Sequence, residues 1–261
     1  MIKVASIQYW INDEKSKNER ISEVEELIEQ SKDVDLLLLP EVWNIGFRAF
    51  DKYRSESEEI EGETISRIAE KARKYKIHIM AGTIIEKDGD DLYNTAVLIG
   101  PNGSVLGKYR KIHLVTRKGS EEAKYLKPGN EVVAVKTELG VIGFGICYDL
   151  RFPELYRKMV VQKGVEIILQ PAAWPLARVE NWMDMNHVRA NENLCYLISC
   201  NCAGIDHGVQ YMGHSTIVDP HGVPIASSGL FGGIVKGEID LKELYKIRKD
   251  NPHLENIALS V

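Results

Sequence analysis

Three residues far apart in the chain are of the types needed for thiol chemistry, and each stands where a strand-like run gives out. Cys147 closes GVIGFGIC, Glu41 follows VDLLLLP, and Lys111 sits in GKYRKIHL beside Lys108 and Arg110. A thiol is a weak nucleophile until it is deprotonated, so it needs a base or a cation close by. A carboxylate at a strand's end, partly desolvated, can take that proton. An ammonium can steady both a thiolate and the negative oxygen of a tetrahedral intermediate. The Tyr148 N–H, at the strand-to-helix turn behind Cys147, is placed to be a second oxyanion donor. Singly, Glu41 reads as well as a capping carboxylate, Lys111 as a solvated charge and Cys147 as a core residue. Together they make a nucleophile, a base and an electrostatic stabiliser.

Such a set needs a scaffold that brings strand ends to one crevice, as covered α/β sheets do. Residues 3–10 read as a first strand, and residues 16–31 place Ile21, Val24, Leu27 and Ile28 at helical spacing. VDLLLLP, residues 34–40, is apolar throughout, as expected of a strand covered on both faces. Residues 63–75 repeat the helical pattern and 77–86 are strand-like. LYNTAVLIGPNGSVLGKYRK reads as two strands about a Pro-Asn-Gly turn. GVIGFGIC is a strand, PELYRKMVVQKG a helix, VEIILQPAAW a strand and its exit, and residues 178–193 a helix. CYLISCN, STIVDP, VPIASS and GIVKGEID read mostly as strands, with a last helix from near Asp240. Alternating elements with no Pro/Gly/Ser-rich linker predict one α/β domain, residues 1–261, with a mixed sheet, read as two sheets with helices outside.

Composition narrows the partners. The 261 residues are 44% hydrophobic and 27% charged, with a formal net charge of -5 and both signs interspersed. That leaves no basic stripe for nucleic acid and no polybasic membrane patch. The longest apolar runs are far too short to cross a bilayer, and MIKVASIQYW does not resemble a signal peptide. A cytoplasmic protein with reduced cysteines is expected. CYLISCNC lacks metal-ligand spacing, so Cys195, Cys200 and Cys202 read as small core residues and no metal is expected.

LLLLPE, KYRKIHL and GFGICYDLRFPELYR, in that order, resemble the three signature segments of the nitrilase superfamily, the carbon–nitrogen hydrolases. The likeness extends to LYNTAVLIGPNGSVLGKYRK, to residues 189–193 and to GHSTIVDPHG, and so covers essentially the whole chain. The resemblance implies a four-layer αββα sandwich that pairs into a homodimer or a higher homo-oligomer. It implies Glu41 as general base, Lys111 as stabiliser of the tetrahedral intermediate and Cys147 as the residue that forms a thioester, with no cofactor. It also implies a second glutamate ahead of a Leu-x-Pro-Gly segment. EEAKYLKPG offers Glu121 and Glu122, and the spacing favours Glu122, which would position the substrate or Lys111.

Within that superfamily CYDLRFPELYR and AAWPLARVENW resemble the ω-amidase-type branch. Its members hydrolyse the terminal amide of short 2-oxo dicarboxylic acid monoamides such as 2-oxoglutaramate. A free carboxylate on such a substrate is well gripped by a guanidinium, and Arg178 is the candidate. Arg151 reads instead as half of a structural ion pair. Phe47, Trp43 and Trp174 are candidates for pocket walls. N-carbamoyl amines, nitriles and deaminated glutathione are alternative substrates. Two rival readings are a Cys–His enzyme that uses His113, two residues past Lys111, and a catalytically inactive binding or assembly subunit.

Overall fold

The computed structural model describes residues 1–116 and 119–259 of the chain. Its two larger sheets have the same plan, three parallel strands flanked by antiparallel ones. The first runs in the order Gly233–Ile239, Ile2–Gln8, Leu36–Leu38, His78–Asp88, Asp91–Ile99 and Val105–Arg110. Ile2–Gln8, Leu36–Leu38 and His78–Asp88 are parallel, and the remaining pairings are antiparallel. The second runs Pro224–Ser227, Thr216–Val218, Tyr196–Asn201, Ile167–Ala172, Gly140–Phe144 and Ala134–Thr137. There Gly140–Phe144, Ile167–Ala172 and Tyr196–Asn201 are the parallel three.

The strand Leu36–Leu38 shows why its run carries no polar alternation. Leu36 and Leu38 enter a core shared with Phe144, Ile168 and Ile198 of the second sheet. Leu37 and Leu39 enter another, with Ile21, Val24 and Ile28 of the helix Lys17–Glu29 and Ile65 and Ile68 of the helix Glu63–Tyr75. Both faces are dry, so both parities are apolar. The two sheets also meet through polar groups at that shared face, where the Ser6 hydroxyl donates to Ser199 O at 3.0 Å.

The helices begin where capping chemistry allows. Ser16 accepts from the Glu19 N–H while the Glu19 carboxylate accepts from the Ser16 N–H, a closed capping box. Pro153 stands in the first turn of Pro153–Lys163, and Gly164 ends that helix in the left-handed region. Val179–Glu192 and Leu241–Asp250, the latter capped by the Asp240 side chain, are the two later helices expected from spacing. Among the described residues no helix is long and apolar enough to cross a membrane.

The structure departs from the sequence reading in three places. The strand expected over 3–10 breaks at Tyr9, and Trp10–Ile11 pairs instead with Ala203–Asp206 in a small third sheet. That sheet is completed by the antiparallel hairpin to Val209–Met212, which turns on His207 and Gly208, both with positive φ. A turn of that kind is read from Asn-Gly or Asp-Gly, and Asp-His-Gly hides it. Ala134–Thr137 is a short, half-exposed edge strand whose alternation is too brief to register.

Candidate active site

Glu41, Lys111 and Cys147 meet at the ends of three strands drawn from both large sheets. Glu41 follows Leu36–Leu38 and its carboxylate is wholly buried. Glu41 Oε1 accepts from Lys111 Nζ and from Asn94 Nδ2, each at 2.8 Å, and Oε2 accepts from the Ala173 N–H at 2.9 Å. The backbone just behind it is strained, with Val42 at φ +44°. A β-branched residue holds that conformation only where its surroundings impose it. Here the Val42 N–H donates to Thr83 Oγ1 at 3.0 Å and Trp43 Nε1 donates to Ala81 O at 2.8 Å.

Lys111 is also fully buried, directly after the strand Val105–Arg110. Its Nζ donates to Glu41 Oε1 and to Glu122 Oε1, each at 2.8 Å, and lies 5.2 Å over the Phe47 ring. Glu122 Oε2 accepts from the Val115 N–H at 2.7 Å. Of the two candidate glutamates Glu122 is therefore the one at the site, whereas Glu121 is only half-buried and pairs with Lys124. Asn94 donates to both buried carboxylates, to Glu122 at 3.2 Å. Sequence reasoning missed it, although an asparagine inside an apolar strand, LYNTAVLIG, is the signal of a buried polar group needing partners.

Cys147 opens a single 3-10 turn, Cys147–Arg151, with φ +43°. Its thiol is near enough to the Glu41 carboxylate and the Ala173 amide for both to act on it. The Tyr148 N–H, in the first turn, has no acceptor within that turn. Beside the sulfur lies a cavity of about 240 Å³ lined by Phe47, Tyr148, Trp174 and three arginines, Arg48, Arg151 and Arg178. None of its described lining residues is acidic.

Several sequence expectations change here. Arg151 makes no ion pair among the described residues. Its guanidinium lies over Trp174 at 4.8 Å and over Tyr148 at 5.8 Å, because the pocket wall offers aromatic faces and no carboxylate. Trp43 does not wall the pocket and is wholly buried in the core under Ala81. His113 faces Asp149, with Nδ1 2.7 Å from Oδ1, and stacks on Phe152, so it is turned to a task other than deprotonating Cys147. Cys195, Cys200 and Cys202 are buried and free, as core residues would be.

The electrostatics follow from two carboxylates sharing one ammonium out of water. Burial works to discharge Lys111, but the charges of Glu122 and then Glu41 outweigh it and hold its pKa well above the ordinary value. Burial raises Glu122, with Lys111 opposing and Glu41 adding to the rise. Burial and then the Glu41 charge push the Cys147 thiol well up, against the pull of Lys111. The sulfur is therefore held as a neutral thiol beside the Glu41 carboxylate. Burial and the neighbouring Arg178 lower Arg151.

Asp13, Asp206 and His207 form a group, remote in sequence from the thiol, whose candidate ligand atoms lie within 4.8 Å of one another. Asp206 is already engaged there by the Arg48 N–H, the Tyr211 hydroxyl and His207 Nδ1, all within 2.9 Å. It ties the pocket residue Arg48 to the third sheet.

Residues 3–249 match the carbon–nitrogen hydrolase family. A 2-oxoglutaramate amidase of Bacillus subtilis (strain 168) is 36% identical over 243 residues, 92% of this chain and 92% of that one. The omega-amidase NIT2 of Homo sapiens is 35% identical over 262 residues, 96% of this chain and 92% of that one. The crystal structure of Saccharomyces cerevisiae Nit3, a member of branch 10 of the nitrilase superfamily, superposes with a TM-score of 0.87 at 30% identity, covering 96% of this chain and 94% of that one.

Proposed function

The chain belongs to the carbon–nitrogen hydrolase family, and on that premise we propose that it hydrolyses the ω-amide of a small 2-oxo dicarboxylic acid, such as 2-oxoglutaramate, through a thioester on Cys147. One observation carries the reading. A neutral thiol stands beside a buried carboxylate that is bonded to a buried ammonium, in the lining of a small pocket with three guanidinium groups and no described acidic wall.

In this mechanism Cys147 sulfur attacks the amide carbon as its proton passes to Glu41. The raised thiol pKa makes that transfer part of the attack and not a prior ionisation. Lys111 and the Tyr148 N–H face the oxyanion. The intermediate collapses, the C–N bond breaks, and ammonia leaves with the proton held by Glu41. A water then attacks the thioester, its proton taken by Glu41, and the acid departs as the thiol is restored. Glu122 keeps Lys111 charged and in place. Loss of one oxyanion donor costs about 2.7–4 kcal/mol of transition-state stabilisation. Arg178 and Arg151, on the same wall, are the partners for the far carboxylate of the substrate, with Phe47 and Trp174 closing the apolar sides.

An ammonia-release screen across ω-amides, N-carbamoyl amines and nitriles, with Cys147→Ala as the blank, tests this. Turnover highest on a 2-oxo dicarboxylic monoamide is expected. Faster release from a neutral amide or a nitrile would overturn the substrate, and release by the blank would overturn the nucleophile.

The family relationship also supports reading residues 1–261 as one hydrolase domain, its two sheets and outer helices forming a four-layer αββα sandwich. We further propose a cytoplasmic homodimer, the former on four free cysteines and the latter on the resemblance. Sedimentation of the purified chain tests the dimer.

A further inference from the structure

Asp149 is wholly buried two residues after Cys147, and four hydrogen bonds converge on it. Its Oδ2 accepts from the Tyr109 hydroxyl at 2.8 Å and from the Ile146 N–H at 2.9 Å. Its Oδ1 accepts from the His113 N–H at 3.0 Å and lies 2.7 Å from His113 Nδ1. A carboxylate has no proton to give, so His113 holds its hydrogen on Nδ1. Tyr109 and His113 stand two residues either side of Lys111, and Ile146 immediately precedes Cys147. One carboxylate therefore clasps the strand exit that carries the ammonium and the strained turn that carries the sulfur. Burial, then the Asp149 charge, keep the Tyr109 phenol protonated and able to donate. The His113 ring is fixed on its other side by Phe152, with centroids 3.7 Å apart and planes 7° from parallel.

We propose that Asp149 is a positioning residue that sets the separation of Lys111 and Cys147 by holding Tyr109, His113 and Ile146 on a single carboxylate. The proposal rests on the roles given to Lys111 and Cys147 above. All four incoming groups are donors, so an amide cannot replace the carboxylate. Whichever arm of asparagine carries the nitrogen, two donors face it. The substrate pocket is lined by other residues, so the effect falls on the chemical step and leaves binding alone.

The test compares Asp149→Asn, Tyr109→Phe and the control Tyr196→Phe. In the control the lost hydroxyl bonds, among the described residues, only to Asp240, at the opposite end of the parallel strands from Cys147. Substrate is the ω-amide most rapidly hydrolysed by the wild-type enzyme. For Asp149→Asn kcat falls about 100-fold, the cost of misplacing reacting groups by about 1 Å. For Tyr109→Phe it falls about 5–20-fold, the loss of one buried hydrogen bond. KM stays within about 3-fold in both, and Tyr196→Phe keeps wild-type kcat. If Asp149→Asn does not fold, Tyr109→Phe decides by the same criterion. The proposal is overturned if kcat stays within about 2-fold of wild type, if KM carries the loss, or if the control loses as much. Those outcomes with Cys147→Ala inactive overturn it alone, whereas activity surviving in Cys147→Ala overturns the reading beneath it as well.

Discussion

Lys111 Nζ lies 2.8 Å from Glu41 Oε1 with neither side chain exposed to solvent. The same nitrogen is equally close to Glu122, so two carboxylates divide one ammonium beside the thiol. Burial first, and then the Glu41 charge, keep the Cys147 thiol neutral at rest. In the mechanism proposed above the base must therefore lie within reach of the sulfur, since no standing thiolate is available.

Removing the ammonium should be costly twice. Lys111→Met leaves two buried carboxylates facing each other, and breaking a buried pair in this way destabilises by about 3–5 kcal/mol. Turnover falls by at least about 100-fold with the oxyanion donor gone. Burial already raises the Glu122 pKa against the pull of Lys111, and without Lys111 it rises further above its unfolded value. The variant is then least compromised below the unfolded carboxylate pKa and loses stability as pH rises through the folded Glu122 value. Urea unfolding at pH 5, 6.5 and 8 should show its deficit against wild type growing with pH. A deficit that shrinks over that range would show that the pair is not charged.

Glu41→Gln separates thiol acidity from catalysis. The Glu41 charge is, after burial, the largest influence raising the Cys147 pKa, and Lys111 opposes it. Neutralising it lowers the thiol pKa, so alkylation of Cys147 by iodoacetamide should reach its half-maximal rate at a lower pH than in wild type. Amide turnover nevertheless falls, by about 10²–10⁴-fold, because no group remains to carry the proton to ammonia. An alkylation profile unmoved or displaced upward would mean that Glu41 does not act on the sulfur.

The outline of this arrangement was legible because its parts lie at strand ends, where a strand-like run stops and a side chain able to do chemistry follows. Glu41, Lys111 and Cys147 each announce themselves so, and Leu36–Leu38 betrays its two dry faces by losing alternation. Asn94, Asp149 and Arg151 were not legible in their roles. Asn94 and Asp149 act through partners brought from distant strands, and nothing in one segment specifies them. Arg151 was misassigned to an ion pair because a carboxylate is an arginine's usual partner, and here the surrounding wall is aromatic. The hairpin ending at Met212 escaped because its turn uses a histidine where glycine or asparagine is the usual marker.

The arginines at the pocket supply a prediction about selectivity. Arg178→Ala and Arg151→Ala should each lower kcat/KM for a carboxylate-bearing ω-amide by about 10–150-fold, the worth of a charge-assisted hydrogen bond of about 1.5–3 kcal/mol. A neutral amide of the same length should be hydrolysed within about 3-fold of the wild-type rate by both variants. Equal losses on the two substrates would assign these residues to the fold of the 3-10 segments Cys147–Arg151 and Leu176–Arg178 and not to substrate recognition.

Away from the site, Glu86 offers a test of the first sheet's outer strands. It is nearly inaccessible on His78–Asp88 and accepts from Arg110 through two nitrogens at 2.8 Å, from Lys108 at 2.6 Å and from the Thr95 hydroxyl at 2.6 Å. Burial works to raise its pKa, but the hydrogen bonds from Arg110, Lys108 and Thr95 prevail and lower it to about 2. A carboxylate depressed in this way stabilises the fold above its unfolded pKa, and that contribution is lost as pH falls through the folded value. Lys108 is partly exposed, so solvent screens part of the gain, and about 1–2 kcal/mol is expected at pH 7. Glu86→Gln should therefore melt below wild type at pH 7, with the difference narrowing between pH 4.5 and pH 2. A difference constant over that interval would assign the loss to packing and hydrogen-bond geometry and would remove charge from the account of this strand pair.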